Sequence, residues 1–302
     1  MQIGLAGATG FLGTPLVRAL AADGHDLVLF TRRPRGRTGV REVEWHPDGT
    51  AGAWAGALDG LDAVINLAGE SIAGRRWTPA RKAALTESRL LVTRSLTTAI
   101  ARAGRPPRTL VSSSAVGYYG PRGNELVTES DPAGDDFLAR LAADWEHEAQ
   151  AVEAVGTRVI LLRTGLVLAA DGGALAPMLL PFKLGLGGPM GTGDQFWPWI
   201  HRGDWIALVR FLLAHPLASG PVNATAPTPV TNATFARTLA RVLHRPALLR
   251  VPAFALRALM GEMADALILK GQRVIPARAL EMGFRFEFGE LEPALLDVIT
   301  RI

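Results

Sequence analysis

Residues 1–13 read Met-Gln-Ile-Gly-Leu-Ala-Gly-Ala-Thr-Gly-Phe-Leu-Gly, an apolar stretch that runs into glycines at 7, 10 and 13. The spacing gives each glycine a separate task. Gly7 lets the chain turn tightly off a strand, Gly10 removes a side chain where backbone must approach a pyrophosphate, and Gly13 lets the next helix sit close on the sheet. N–H groups in the turn and at the helix start, around Thr9, Phe11 and Leu12, then face an anion with the helix dipole behind them. Such a turn can also bind nothing. Here a strand-like run at 3–6 precedes it, and apolar residues at helical spacing follow (Phe11, Leu12, Leu16, Ala19, Leu20), which points to a dinucleotide.

The residue closing the second strand separates NAD from NADP. NAD sites place an acidic residue about 20 residues past the glycines, to accept the ribose 2′-hydroxyl. This chain has Thr31-Arg32-Arg33 there. A carboxylate would repel a 2′-phosphate, whereas a hydroxyl and two guanidiniums would hold one. The expected cofactor is therefore NADP(H); the other reading makes these arginines a solvated turn. Asn66-Leu67-Ala68-Gly69 ends a later strand, and its small residues let backbone pass close to the adenine-ribose side of the nucleotide.

These residues need a sheet to carry them. Strands are expected at 26–30, 41–45, 62–67, from 110 into Ser112-Ser113-Ser114, and at 158–162. Helices are expected at 79–103, with Thr78 as cap and Pro79 in the first turn, and at about 136–155. The alternation predicts an α/β fold: a Rossmann-type doubly wound parallel sheet with a smaller α-rich C-terminal substrate lobe. The nucleotide domain is placed at 1–168, with a returning strand at 221–224, and the substrate lobe at 169–302. Helices are also expected at 203–214, from an Asn232 cap to 243, and at 290–299. Residues 171–198 are rich in Gly and Pro and are long for a simple connection.

Composition narrows the chemistry. The 302 residues are 48% hydrophobic and carry a net charge of +4, and they include no cysteine, so disulfides and thiolate chemistry are excluded. Six histidines lack metal-ligand spacing, and no metal is expected. Arg32 to Arg41 holds five arginines, too short a run for a nucleic-acid footprint. No apolar run reaches membrane length, and no basic leader precedes the first strand. A cytoplasmic protein without nucleic-acid or membrane partners, acting on an unidentified small molecule, is the expectation.

The segments GATGFLG, NLAGESI, RRW (75–77), SRL (88–90), SSSAVGYYG (112–120), GLGGPMGTGDQFWPWIH (185–201) and GQRVIP (271–276) resemble the epimerase family. That family is an atypical subgroup of the extended short-chain dehydrogenases/reductases, and the resemblance spans essentially the whole chain. It implies NADP(H) in the amino-terminal lobe, with Thr31, Arg32, Leu67, Ala68 and Arg89 as cofactor contacts. Gly69 and Arg33 join them from the reading above.

Short-chain dehydrogenases use a Ser or Thr hydroxyl, a tyrosine acid and a lysine four residues after it. Ser114 supplies the hydroxyl. The pair is missing: Tyr118 and Tyr119, the only tyrosines, are followed at the fourth position by Arg122 and Gly123, and the next helix reads Phe137-Leu138-Ala139-Arg140-Leu141. Either the acid has moved to Tyr118 or Tyr119 beside Ser114, or the protein holds NADP(H) as a sensor with little hydride chemistry.

On the substrate side, Trp197 and Trp199 form either a lid or a plug between the lobes, and His201 is either a proton donor or structural. Asp204 reads as a helix cap, Glu70 as a group orienting ribose or substrate, and Arg75 and Arg76 as anion-binding or surface charges. GQRVIP reads as packing. The helices at 79–103 and 136–155 suit a homodimer face or intramolecular cover, leaving monomer and homodimer both open.

Overall fold

The computed structural model describes residues 1–301. Seven parallel strands form the central sheet: β1 (Gln2–Ala6), β2 (Asp26–Thr31), β3 (Arg41–Glu44), β4 (Ala63–Asn66), β5 (Thr109–Ala115), β6 (Arg158–Thr164) and β7 (Gly220–Ala224). Their spatial order is β7-β6-β5-β4-β1-β2-β3, so the strand order reverses beside β1. That reversal opens a crevice at the carboxyl edge, where nucleotides bind in doubly wound sheets.

The strands inside the sheet are buried on both faces, as a parallel sheet under helices requires, while the edge strand β3 has exposed ends. Alternate side chains go to opposite layers. Leu27 and Leu29 join Leu5, Ile65 and Ile160 under α1 (Gly13–Ala22), while Val28 and Phe30 join Val64, Leu110 and Leu161 under α2 (Pro79–Ala101). Thr78 caps α2 by accepting the Arg81 N–H (3.1 Å), and Asp136 caps α3 (Phe137–Gln150) by accepting the Ala139 N–H (2.8 Å). The helix expected to run to 155 ends at Gln150 and tightens into a 3₁₀ turn over Ala151–Val155.

Beyond the sheet, α4 (Ala176–Lys183) lies within the Gly/Pro-rich stretch. The chain then returns to cover the sheet earlier than expected: Trp205, Leu208, Val209 and Leu212 of α5 (Arg202–Ala214) share the core layer of α1. The second core gathers α4, Trp197, Trp199, α6 (Asn232–Val242) and α8 (Leu291–Thr300); α7 (Ala253–Met260) lies beside it. Thr231, one residue before Asn232, caps α6 by accepting the Thr234 N–H, and Asn232 Oδ1 accepts the Met190 N–H (2.7 Å).

Trp197 and Trp199 are buried in this second core, each donating its indole N–H to a backbone carbonyl, of Ile268 and Thr228 respectively. They plug the lobe, which removes the lid reading for these two side chains. His201 is likewise structural. Its Nδ1 accepts the Gly203 N–H (3.1 Å) and caps α5, its ring lies against Phe288, tilted by 44° with centroids 4.0 Å apart, and Nε2 lies 3.1 Å from the Asp297 carboxylate. Asp204 does not cap its own helix; it accepts the N–H groups of Glu287 and Phe288 (2.9 Å each) and pins the C-terminal segment.

Burial lowers the His201 pKa, against the pull of Asp297 and Asp204, and protonation of Nδ1 would remove the α5 cap. With the folded pKa depressed, the unfolded chain binds the extra proton first. Stability is therefore fully present above the ordinary imidazole pKa of about 6.5 and falls as pH drops through it. Thermal midpoints from pH 8 to pH 5 should show this slope, and His201→Asn, which keeps a capping acceptor, should flatten it. An unchanged slope in the variant would remove His201 as its cause.

Candidate functional site

The strand register aligns the cofactor candidates. Ala6 pairs with Phe30 on one side and Asn66 on the other, so Gly7, Thr31 and Leu67 leave the sheet side by side. Gly7 has φ +83°, and a Cβ there would stand 2.6–2.8 Å from the backbone of Leu67 and Ala68. A Cβ on Gly13 would collide with the Gly7 carbonyl oxygen, while one on Gly10 would meet a single atom at 3.3 Å. Gly7 and Gly13 are thus dictated by packing. Gly10 and Thr9 stand exposed at the mouth. No side chain caps α1, whose cap residue is Leu12; the Thr14 N–H donates to the Gly10 carbonyl (3.0 Å) and Pro15 has none, so the N–H groups of Phe11, Leu12 and Gly13 are the ones available to an anion. The Phe11 ring is held from the other lobe, against Gly172 and Gly173 and beneath the Arg202 guanidinium (5.4 Å), leaving Phe11 only its backbone for a ligand.

At the end of β2, Thr31 Oγ1 accepts the Arg33 N–H (3.3 Å), and both Arg32 and Arg33 are exposed. The loop that follows is tied down by Glu42, which accepts the N–H groups of Arg35 (2.5 Å) and Gly36 (2.7 Å). These bonds hold its carboxyl below the usual range. Glu42, the next acidic residue after this corner along the chain, is therefore committed to loop backbone.

The Asn66–Gly69 segment is built from beneath. Asn66 Oδ1 accepts the Ala68 N–H (3.2 Å), and its amide donates to Thr93 Oγ1 (2.9 Å), which also accepts from the Trp145 indole (2.8 Å). Arg89 lies against Gly69, donates to the carbonyls of Leu85 (3.0 Å) and Glu70 (2.9 Å), and stacks over Trp145 (5.2 Å). Burial lowers its pKa to about 10, which still leaves it charged at neutral pH. Glu70 is paired with Arg81, and Arg76 points to the Ala258 carbonyl (3.5 Å).

A buried polar network stands at the ends of β5, β6 and β7. Ser114 on β5 donates its hydroxyl to Glu146 Oε1 (2.6 Å) on α3. Arg163 on β6 grips the same carboxylate twice, Nε to Oε1 and Nη2 to Oε2, at 2.8 Å each. Arg163 Nη1 donates to the Tyr119 hydroxyl (3.0 Å), which donates in turn to Asn223 Oδ1 (2.7 Å) on β7. The Asn223 N–H reaches the buried Glu129 (2.9 Å), which also accepts the Arg278 N–H; burial raises the Glu129 pKa. Burial pushes the Tyr119 hydroxyl up to about 12, against the opposing pull of Arg163. On Arg163 itself burial disfavours the charge, but Glu146 outweighs it and the guanidinium stays protonated.

The three catalytic candidates are therefore brought together but not made equivalent. Ser114 has its one proton committed to Glu146. Tyr119 is enclosed with both hydrogen-bond capacities used. Tyr118 is half-buried, its ring beneath the Arg163 guanidinium at 3.5 Å and edge-on to Tyr119. The first turn of α3 is apolar: Phe137 packs on Trp77 with Leu138, Met260 and Met263 nearby, and Leu141 is buried. Arg140 turns outward to the Asp135 carbonyl. Gln272, in the segment read as packing, donates to the Val116 carbonyl (2.7 Å) beside the tyrosines. Glu146, Arg163, Asn223 and Glu129 were not found from the sequence. The available signal was Arg163 itself, a charge inside an otherwise apolar strand.

Residues 3–224 match the NAD dependent epimerase/dehydratase family, and residues 251–298 match a domain of unknown function. An epimerase family protein of Mycobacterium bovis, Mb2239, is 41% identical over 300 residues, covering 99% of this chain and 98% of that protein. The human epimerase family protein SDR39U1 is 39% identical over 303 residues, covering 99% of this chain and 100% of its own. The crystal structure of that human protein (isoform 2) with NADPH superposes with a TM-score of 0.92 at 38% identity, over 100% of both chains. A seven-stranded parallel sheet reversing beside β1, the glycine turn leaving it and these full-length matches make the chain a member of the NAD-dependent epimerase/dehydratase family, of short-chain dehydrogenase type.

Proposed function

We propose that this chain binds NADP(H) at the carboxyl edge of its sheet and uses it in oxidoreductase- or epimerase-type chemistry on a small molecule. The observation that carries the reading is the corner after β2: two exposed guanidiniums at Arg32 and Arg33 beside the Thr31 hydroxyl, with Glu42 turned to its own loop. The NADPH in the human relative's structure supports it. The glycine turn and the uncapped start of α1 would hold the pyrophosphate, and Leu67, Ala68 and Gly69, backed by Arg89, would line the nucleotide's other side. Bound NADP(H) supplies or takes up the hydride.

Proton transfer needs a group able to give up a proton toward the cleft. Tyr119 is locked between Arg163 and Asn223, and Ser114 points its proton at Glu146, so Tyr118 is the acid in this reading. Ser114 can then only accept, which suits a substrate hydroxyl. The apolar first turn of α3 favours a second reading, an NADP(H) sensor that performs little turnover.

Two measurements test this. Arg32→Ala should weaken NADPH about tenfold or more, the scale of a charged hydrogen bond, and leave NADH unchanged. Wild-type affinity for NADH equal to that for NADPH would sink the cofactor assignment. In a carbonyl and sugar-nucleotide screen followed by NADPH absorbance, Tyr118→Phe should abolish turnover with NADPH binding intact. Absence of turnover by the wild type across the screen would favour the sensor.

A further inference from the structure

Residues 184–191 and 245–251 run side by side in the second lobe. Met190 bridges Val251, the Gly191 N–H donates to the Val251 carbonyl and the Val251 N–H to the Pro189 carbonyl (2.9 Å each), and Arg245 Nε donates to the Lys183 carbonyl (2.8 Å). α4 leads into the first run and α7 leaves the second. This double loop leaves Leu184, Leu186, Leu248 and Leu249 exposed, Leu248 at 86%. Leu180 of α4 and Phe254 and Leu259 of α7 are 66%, 74% and 76% exposed. α7 has no fully buried residue, although Arg257 is the only charge in its sequence AFALRALM. A scattered exposed leucine needs no explanation, but a set carried by adjoining segments does.

On the double loop the charge has one sign, whereas at α7 Arg257 is paired with Asp265. Lys183 at the end of α4 and Arg245 and Arg250 on the double loop are exposed, and none forms a salt bridge among the described residues. No Asp or Glu occurs in 172–193 or in 205–261. A second copy docking through the same face would bring these cations together. Side chains this exposed stand off the surface rather than line a groove for a peptide. A soft anionic surface accepts both features, since apolar side chains enter the boundary of headgroups and acyl chains while cations meet phosphates.

We propose that the double loop and α7 form a peripheral docking face for an anionic lipid surface. This revises the expectation of no membrane partner, which rested on the lack of a spanning segment. No helix among the described residues is long and apolar enough to cross a membrane, and a peripheral contact needs none.

Sedimentation of the full chain with phosphatidylcholine vesicles, and with vesicles containing phosphatidylglycerol, tests this. Binding is expected only to the anionic vesicles and should weaken with added salt. Leu184→Glu combined with Leu248→Glu should lower partition about tenfold or more, as should Lys183→Glu with Arg245→Glu and Arg250→Glu. Leu217→Glu, at an exposed leucine between α5 and β7, should leave it unchanged. Thermal midpoints and NADPH affinity, both expected to match wild type, separate a lost docking face from a lost fold or cofactor site. No binding to anionic vesicles would overturn the proposal, as would equal loss in Leu217→Glu. Dimerisation abolished by the patch variants without vesicle binding would assign the face to a second copy instead, and binding to polyglutamate but not to vesicles would assign it to an acidic protein.

Discussion

Glu146 and Arg163 hold the carboxyl edge of the sheet together. Arg163 stands in a strand whose neighbours are apolar, and an unpaired guanidinium there would be severely destabilising. Removing one partner of such a buried pair costs about 3–5 kcal/mol, a large share of the 5–15 kcal/mol or so that holds a typical domain folded. The pair is tolerated because its polar atoms are almost fully used: Nε and Nη2 on Glu146, Nη1 on Tyr119, and the guanidinium face on the Tyr118 ring. Through Ser114, Tyr119, Asn223 and Glu129 the same network reaches β5, β7 and the segment ending at Arg278. One ion pair thus sets the relative positions of three strand ends, α3 and the C-terminal segment.

This arrangement separates holding a nucleotide from reacting with it. On the β1–β2 side the edge is open, with an uncapped helix start, exposed arginines and an exposed Gly10 that admits close backbone approach. On the β5–β6 side, where short-chain dehydrogenases keep their catalytic trio, polar groups are turned inward to satisfy Arg163. Apolar side chains of α3 meet Trp77, Met260 and Met263 there. A tyrosine–lysine pair at that turn would have to replace Phe137, part of this packing, and the buried Leu141.

The fold was largely legible because it rests on local signals. Both-faced burial shows as unbroken apolar runs such as Ala63-Val64-Ile65, and the cap Thr78 announces its helix. The glycine turn was legible for the same reason: Gly7 and Gly13 are dictated by contacts within the first βα unit and by the neighbouring strand end. What escaped depends on distant partners. His201 looks like an acid until Gly203, Phe288 and Asp297 close around it, and Asp204 looks like a cap until residues 287 and 288 claim it. Tyr118 and Tyr119 looked interchangeable as the acid beside Ser114, since nothing near them in sequence reveals that Arg163 and Asn223 take up the Tyr119 hydroxyl and Glu146 the Ser114 proton. The return of α5 to the sheet was missed because its apolar face fits either lobe.

The preference for NADP(H) rests on the corner after β2 and its hold on a 2′-phosphate. Calorimetric titration of the wild-type chain with adenosine 2′,5′-bisphosphate and with adenosine 5′-monophosphate isolates that one group from the rest of the cofactor. The bisphosphate is expected to bind about tenfold or more tightly, as charge-assisted contacts from Arg32 and Arg33 require. Equal affinity for the two would contradict it.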